Sequence, residues 1–77
     1  MITKEEFQKE IYDALKNKPR EWRNGQFVFN YIDKYYPYVA KAVQYKYGVD
    51  CFYKDNKIPE FIDCCYNEIV RIEINYD

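Results

Sequence analysis

Trp22-Arg23-Asn24-Gly25-Gln26-Phe27-Val28-Phe29-Asn30 is the stretch on which the fold turns. It holds the only Trp and one of the two Gly of the chain. Asn24-Gly25 is a turn signal. It runs straight into Phe27, Val28, Tyr31, Ile32 and Tyr35, the i, i+1, i+4, i+5, i+8 spacing of a helix face. Gln26 and Asn30 project from one side of that helix, with Arg23 just ahead of it. Amides bordering an apolar face need partners where they are buried. The segment is therefore expected to be a junction, with Arg23, Gln26 and Asn30 tying this helix to another element.

Upstream, Thr3-Lys4-Glu5-Glu6 has the form of a capping box, and Phe7, Ile11, Ala14 and Leu15 follow at helical spacing. Lys16 and Lys18 suit the negative end of the helix dipole, and Pro19 stops it. A first helix over 3–18 is expected, then a polar connection at 19–24 broken only by Trp22. The second helix is expected from Asn24 as N-cap to Tyr35 or Tyr36, since Pro37 disfavours helical geometry at the residue before it.

Downstream, Pro37 suits the first position of a third helix whose apolar face is Val39, Ala40, Val43 and Tyr47. Ala40 and Ala42 would allow close helix approach, and Gly48 fits a left-handed terminator. Residues 49–56 have no helical rhythm and read as a loop dipping Phe52 and Tyr53 into the core. The fourth helix has the cleanest pattern: Ile58, Phe61, Ile62, Cys65, Ile69 and Ile72. Asp55 or Asn56 is expected to cap it, Pro59 falls in its first turn, and Glu60, Asp63, Asn67 and Glu68 are expected on its exposed side. The tail 71–77 alternates with a period of two and is open to helix or strand. The fold expected is all-α, a compact bundle of about four short helices, forming a single domain over 1–77.

Seventy-seven residues hold ten Tyr, five Phe and one Trp. A chain this short buries only about 60–65% of its unfolded surface, so its core depends on such large side chains. Tyr also works half out of the core, with its hydroxyl in water. The net charge of −1 is unevenly spread. Residues 19–49 carry five basic against two acidic residues, and residues 50–77 three against seven. Neither segment has the footprint of a dedicated nucleic-acid binder, and the whole is not acidic enough to mimic DNA. The basic middle and the acidic end are expected to lie against each other.

The chemistry expected of an enzyme has few residues to work with. There is no His and no Ser, and the one Thr serves as a cap. General acid–base and nucleophilic roles are left unfilled, so no catalytic residue is assigned. Cys51, Cys64 and Cys65 are odd in number and lack metal-site spacing. They read as small free hydrophobes in a reducing compartment, with no metal and no cofactor. No apolar run reaches the roughly 20 residues of a membrane span, and a cytosolic protein is expected.

Two groups of residues are candidates for function. Arg20, Arg23 and the amides at Asn24-Gly25-Gln26 open a helix where anions bind, with aromatics nearby as stacking platforms. The competing account makes Arg23, Gln26 and Asn30, with Asp50 or Asp55, a structural polar network pinning the 49–56 loop, and this account is favoured. The second group is aromatic. Trp22, Tyr31, Tyr35, Tyr36, Tyr38 and Tyr45, together with Arg20 and Arg23, are the binding residues expected if a contiguous set is exposed, because Tyr and Trp dominate interface hot spots.

The arrangement Arg23-x-Gly25-Gln26-x-x-Phe29-Asn30, then Pro37, then Asp50-x-Phe52-Tyr53-x-Asp55-x-x-Ile58-x-x-Phe61 resembles a family of small uncharacterised phage and bacterial proteins. The shared form is R-x-G-Q-x-x-x-N followed by D-x-F-Y-x-D, over roughly residues 20–65. The resemblance implies an origin in phage or mobile elements, not an activity. For an accessory protein of that origin the commonest role is to bind and inhibit a host enzyme, including a defence nuclease. The partner expected is thus a host protein in the host cytosol, with a second copy of the chain next. A nucleotide or nucleic-acid binding module and a virion structural or assembly component are the alternatives, and no membrane is involved.

Overall fold

In the computed structural model, which describes residues 1–76 and side chains as far as residue 74, the first helix begins on the expected capping box. Thr3 Oγ1 accepts from Glu6 N at 3.1 Å, and Glu6 Oε1 accepts from Thr3 N at 2.9 Å. Helix α1 is Lys4–Leu15 and buries Phe7 and Ile11 completely. It stops three residues short of the expected end. Pro19 keeps Lys18 from α geometry, so the chain leaves through i to i+3 bonds such as Asn17 N to Ala14 O at 3.0 Å.

Helix α2 is Asn24–Tyr35, and its cap is Arg23 rather than the expected Asn24, which becomes the first helical residue. An arginine has no acceptor for the free amides of the first turn. Only half a capping box therefore forms, from Arg23 N to Gln26 Oε1 at 3.2 Å. Gly25, Val28, Phe29 and Ile32 face the core. Phe27 is only half-buried and Tyr35 is exposed, so the expected single apolar face is really two.

Pro37 lies in a turn, not in the third helix, which is α3, Val39–Tyr47. Its N-cap Tyr38 takes φ 74°, the one non-glycine in the left-handed region among the described residues. The tyrosine is 82% exposed, so little packing holds it there. A left-handed L-residue costs about 1–2 kcal/mol, and glycine would give back about 0.5–1 of that as chain entropy. Tyr38→Gly is expected to raise the melting temperature by roughly 2–6 °C in a calorimetric scan. A lower melting temperature would assign Tyr38 a packing role that its exposure does not suggest. Gly48 ends α3 at φ 65°, as expected, whereas Tyr47 is 54% exposed and lies outside the apolar face.

The segment after Gly48 buries Cys51, leaves Phe52 half-buried and turns Tyr53 outward at 76% exposure. Thus the thiol enters the core fully, Phe52 packs against its edge as expected in part, and Tyr53 stays out. A 3₁₀ turn at Asp55–Lys57 leads directly into α4, Ile58–Tyr76. The tail is helix through Tyr76, and Asp77 lies outside the described residues. All four helices enclose one core, with Phe29 and Phe61 stacked at 5.5 Å and Phe7 meeting Tyr36 edge-on at 5.2 Å. Among the described residues no helix is long and apolar enough to cross a membrane. The three cysteines are free, and burial pushes the Cys51 thiol up to about 12.

Glu68 overturns its expected exposure: it is 2% exposed. Its place three residues beyond Cys65 puts it at the edge of the core face, where α3 packs. Arg71 grips it with Nε at 2.9 Å and Nη2 at 2.8 Å, and Lys46 and Tyr47 reach it at 3.4 Å. The Arg71 hydrogen bonds outweigh burial and hold the carboxyl down to about 2 from 4.5. A depressed carboxyl stabilises the fold above its unfolded pKa, and that contribution fades as pH falls through the folded value. Arg71 and Lys46 are half in water, which screens the pair. We expect about 1–2 kcal/mol to be lost between about pH 5 and pH 2. Urea unfolding across that range measures it, and Glu68→Gln should flatten the loss; an unchanged acid limb in that variant would contradict the assignment.

Candidate interaction site

The opening of α2 is a junction, but its parts differ from those expected. Gly25 is the second residue of α2, and its amide is one of the donors that Arg23 cannot satisfy. Asp55 supplies the missing cap from thirty residues away, Oδ1 accepting from Gly25 N at 2.8 Å. Its charge also sits at the positive end of the helix dipole. The Cys51 thiol donates to Gly25 O at 3.3 Å from the same segment. Arg23 completes the contact: Nε donates to Phe52 O at 3.4 Å, and its guanidinium lies 5.6 Å from the Phe52 ring and 5.0 Å from the Tyr53 ring.

The remaining members of the expected polar network lie elsewhere. Gln26 bonds back to its own cap residue. Asp50 braces its own loop, accepting from Phe52 N at 2.8 Å and from Gln44 Nε2 at 2.6 Å. Asn30 is half-buried, has no side-chain hydrogen bond among the described residues, and lines a surface hollow instead. Asn30→Ala is therefore expected to change stability by less than about 0.5 kcal/mol, and Asp55→Ala to cost about 1–2 kcal/mol as a lost cap. Urea titration of the two variants checks this ordering; a larger loss at Asn30 would reverse it.

That hollow is the candidate site. On α2, Phe27, Tyr31 and Tyr35 recur at i, i+4 and i+8, which places them on one stripe outside the core face. Trp22 packs beside Phe27 from the 16–23 connection. Ring centroids run Trp22 to Phe27 6.4 Å, Phe27 to Tyr31 6.0 Å, and Tyr31 to Tyr35 4.7 Å. The four rings form a ladder bordering a surface hollow of ≈ 260 Å³ that Pro19, Asn30 and Lys34 also line. Lys34 Nζ lies 5.2 Å over the Tyr35 ring.

The ladder is fixed from behind. Glu10 on α1 accepts from Tyr31 Oη and Tyr36 Oη, both at 2.7 Å. Burial, then the Glu10 carboxylate, push the Tyr31 phenol up to about 12, and the same causes raise Tyr36. The Tyr31 hydroxyl thus stays protonated through the neutral range and holds its ring in place.

Of the expected binding residues, the fold brings Trp22, Tyr31 and Tyr35 together and sets Tyr36 beneath them. Arg20 is exposed on the connection next to Pro19, and Arg23 belongs to the junction. Tyr38 and Tyr45 are 82% and 91% exposed, on the turn before α3 and on α3, outside the ladder. Phe27 and Lys34 were not among the expected residues; the i, i+4, i+8 spacing of three aromatics was the signal for Phe27. No family model, curated protein or solved structure matches this chain.

Proposed function

We propose that the protein is a non-enzymatic, phage-type accessory protein that binds a host protein and inhibits or modulates it, with host defence enzymes as the first class of target. The observation that carries this reading is the ladder of Trp22, Phe27, Tyr31 and Tyr35 bordering an open, largely apolar hollow. Aromatic rings already ordered by packing and by Glu10 lose little entropy on binding, and such residues make up most interface hot spots. The hollow is lined by no carboxylate or thiol, and of its two tyrosines Tyr31 has its hydroxyl bound to Glu10.

The test is capture of host proteins on the immobilised protein, with nuclease treatment, followed by assay of the captured enzyme. The reading expects one protein to be retained in stoichiometric amount after nuclease treatment and its activity to change on binding. Retention that disappears with nuclease treatment, or retention with no protein in common between repeats, would count against it.

A further inference from the structure

Charge around the hollow is one-sided. Lys34 lines it, and Lys18 and Arg20 flank Pro19, another lining residue. None of the three has an ion-pair partner among the described residues; Lys18 Nζ bonds only to Pro19 O at 3.4 Å. The nearby acids are largely committed. Both oxygens of Glu10 are taken by tyrosine hydroxyls, and Asp33 faces Lys41 at 3.7 Å. Glu21, beside Trp22, is the exception. Elsewhere on the chain lysines mostly sit against carboxylates, as Lys4 does with Asp63 at 3.2 Å.

We infer that the hollow takes an acidic stretch of the partner protein, with an apolar side chain seated on the ladder and carboxylates beside Lys18, Arg20 and Lys34. The inference rests on the reading that the partner is a protein, and it names the chemistry of the segment recognised. Single-stranded nucleic acid would offer the same sign of charge, but neighbouring rings leave no slot for a base between them. A base inserted between two rings needs about 7 Å, twice the contact distance between carbons. The centroids stand only 4.7 to 6.4 Å apart. A net charge of −1 also gives the chain no general pull on a phosphate backbone.

The experiment uses Trp22, the only tryptophan, as a fluorescence reporter on the whole chain. Three probes are titrated: a synthetic peptide alternating Leu with Glu, its counterpart alternating Leu with Lys, and an oligothymidylate. Saturable binding of the acidic peptide alone is expected. Its affinity should fall roughly tenfold between about 0.05 and 0.5 M salt, and by a similar factor in Lys34→Glu. Lys34 is exposed, and an unchanged melting curve verifies that the variant is folded. The inference is overturned by a silent acidic peptide, by equal or tighter binding of the basic peptide or the oligonucleotide, or by an indifferent Lys34→Glu. A host protein captured through the ladder but indifferent to salt and to Lys34→Glu would leave the proposed function standing and remove this inference alone.

Discussion

Gly25→Ala is expected to destabilise the protein by more than about 3 kcal/mol, a large share of the roughly 4–12 kcal/mol available to a chain of this length. An added Cβ would sit 1.8 Å from Cys51 O and 3.1 Å from Asp55 Oδ1. The first of these atoms is backbone and cannot swing aside. The segment from 48 to 54 would have to retreat, breaking the Asp55 cap and the Cys51 thiol contact and opening the core at Cys51. Helix propensity alone argues the other way, because alanine is better than glycine in a helix by about 1 kcal/mol. The two effects differ in sign, so denaturant unfolding followed by circular dichroism decides between them. A variant as stable as the parent would show that the junction is not closed as described.

The second large effect is expected at Phe61, which is completely buried and stacks on Phe29 at 5.5 Å. Phe29 in turn meets Phe52 edge-on at 5.8 Å, so three rings link α2, the 48–54 segment and α4. Phe61→Ala removes the middle of the core and leaves a cavity, at a cost of about 3–5 kcal/mol. Tyr45→Ala, on a side chain 91% exposed, should change stability by less than about 0.5 kcal/mol. Unfolding midpoints of the two variants measure the contrast. A Phe61 variant within 1 kcal/mol of the parent would mean that the ring is not central to the packing (large-to-small core changes typically cost about 2–5 kcal/mol).

Local signals in the sequence predicted local structure well. The Thr3 and Glu6 pair, Gly48 in the left-handed region and the core face of the last helix all depend on residues near one another in the chain. Expectations failed where a residue's partner is distant in the chain. Glu68 reads as exposed on its own helix, and it is the approach of α3, with Lys46 and Tyr47, that buries it against its local partner Arg71. Asp55 reads both as a cap of α4 and as a tie to α2; the tie forms, but through the backbone amide of Gly25 rather than through Gln26 or Asn30. Asn30 reads as a buried amide because α2 is apolar on two sides, and periodicity does not say which side meets the core. The same ambiguity hid the ladder: Phe27, Tyr31 and Tyr35 fit a helix face equally well whether that face is covered or open.

Binding through the ladder is tested most directly by measuring melting temperature and host-protein retention together, in Trp22→Ala/Tyr35→Ala and in Tyr45→Ala. Trp22 and Tyr35 are 36% and 55% exposed, so the double variant should stay folded, melting below the parent by the packing that Trp22 gives up. It should lose retention by a factor of ten or more, the effect of removing about 1.4 kcal/mol or more of hot-spot contact. Tyr45→Ala should retain the partner fully. A folded double variant that still retains its partner, or a Tyr45 variant that alone loses it, would contradict the assignment of this face.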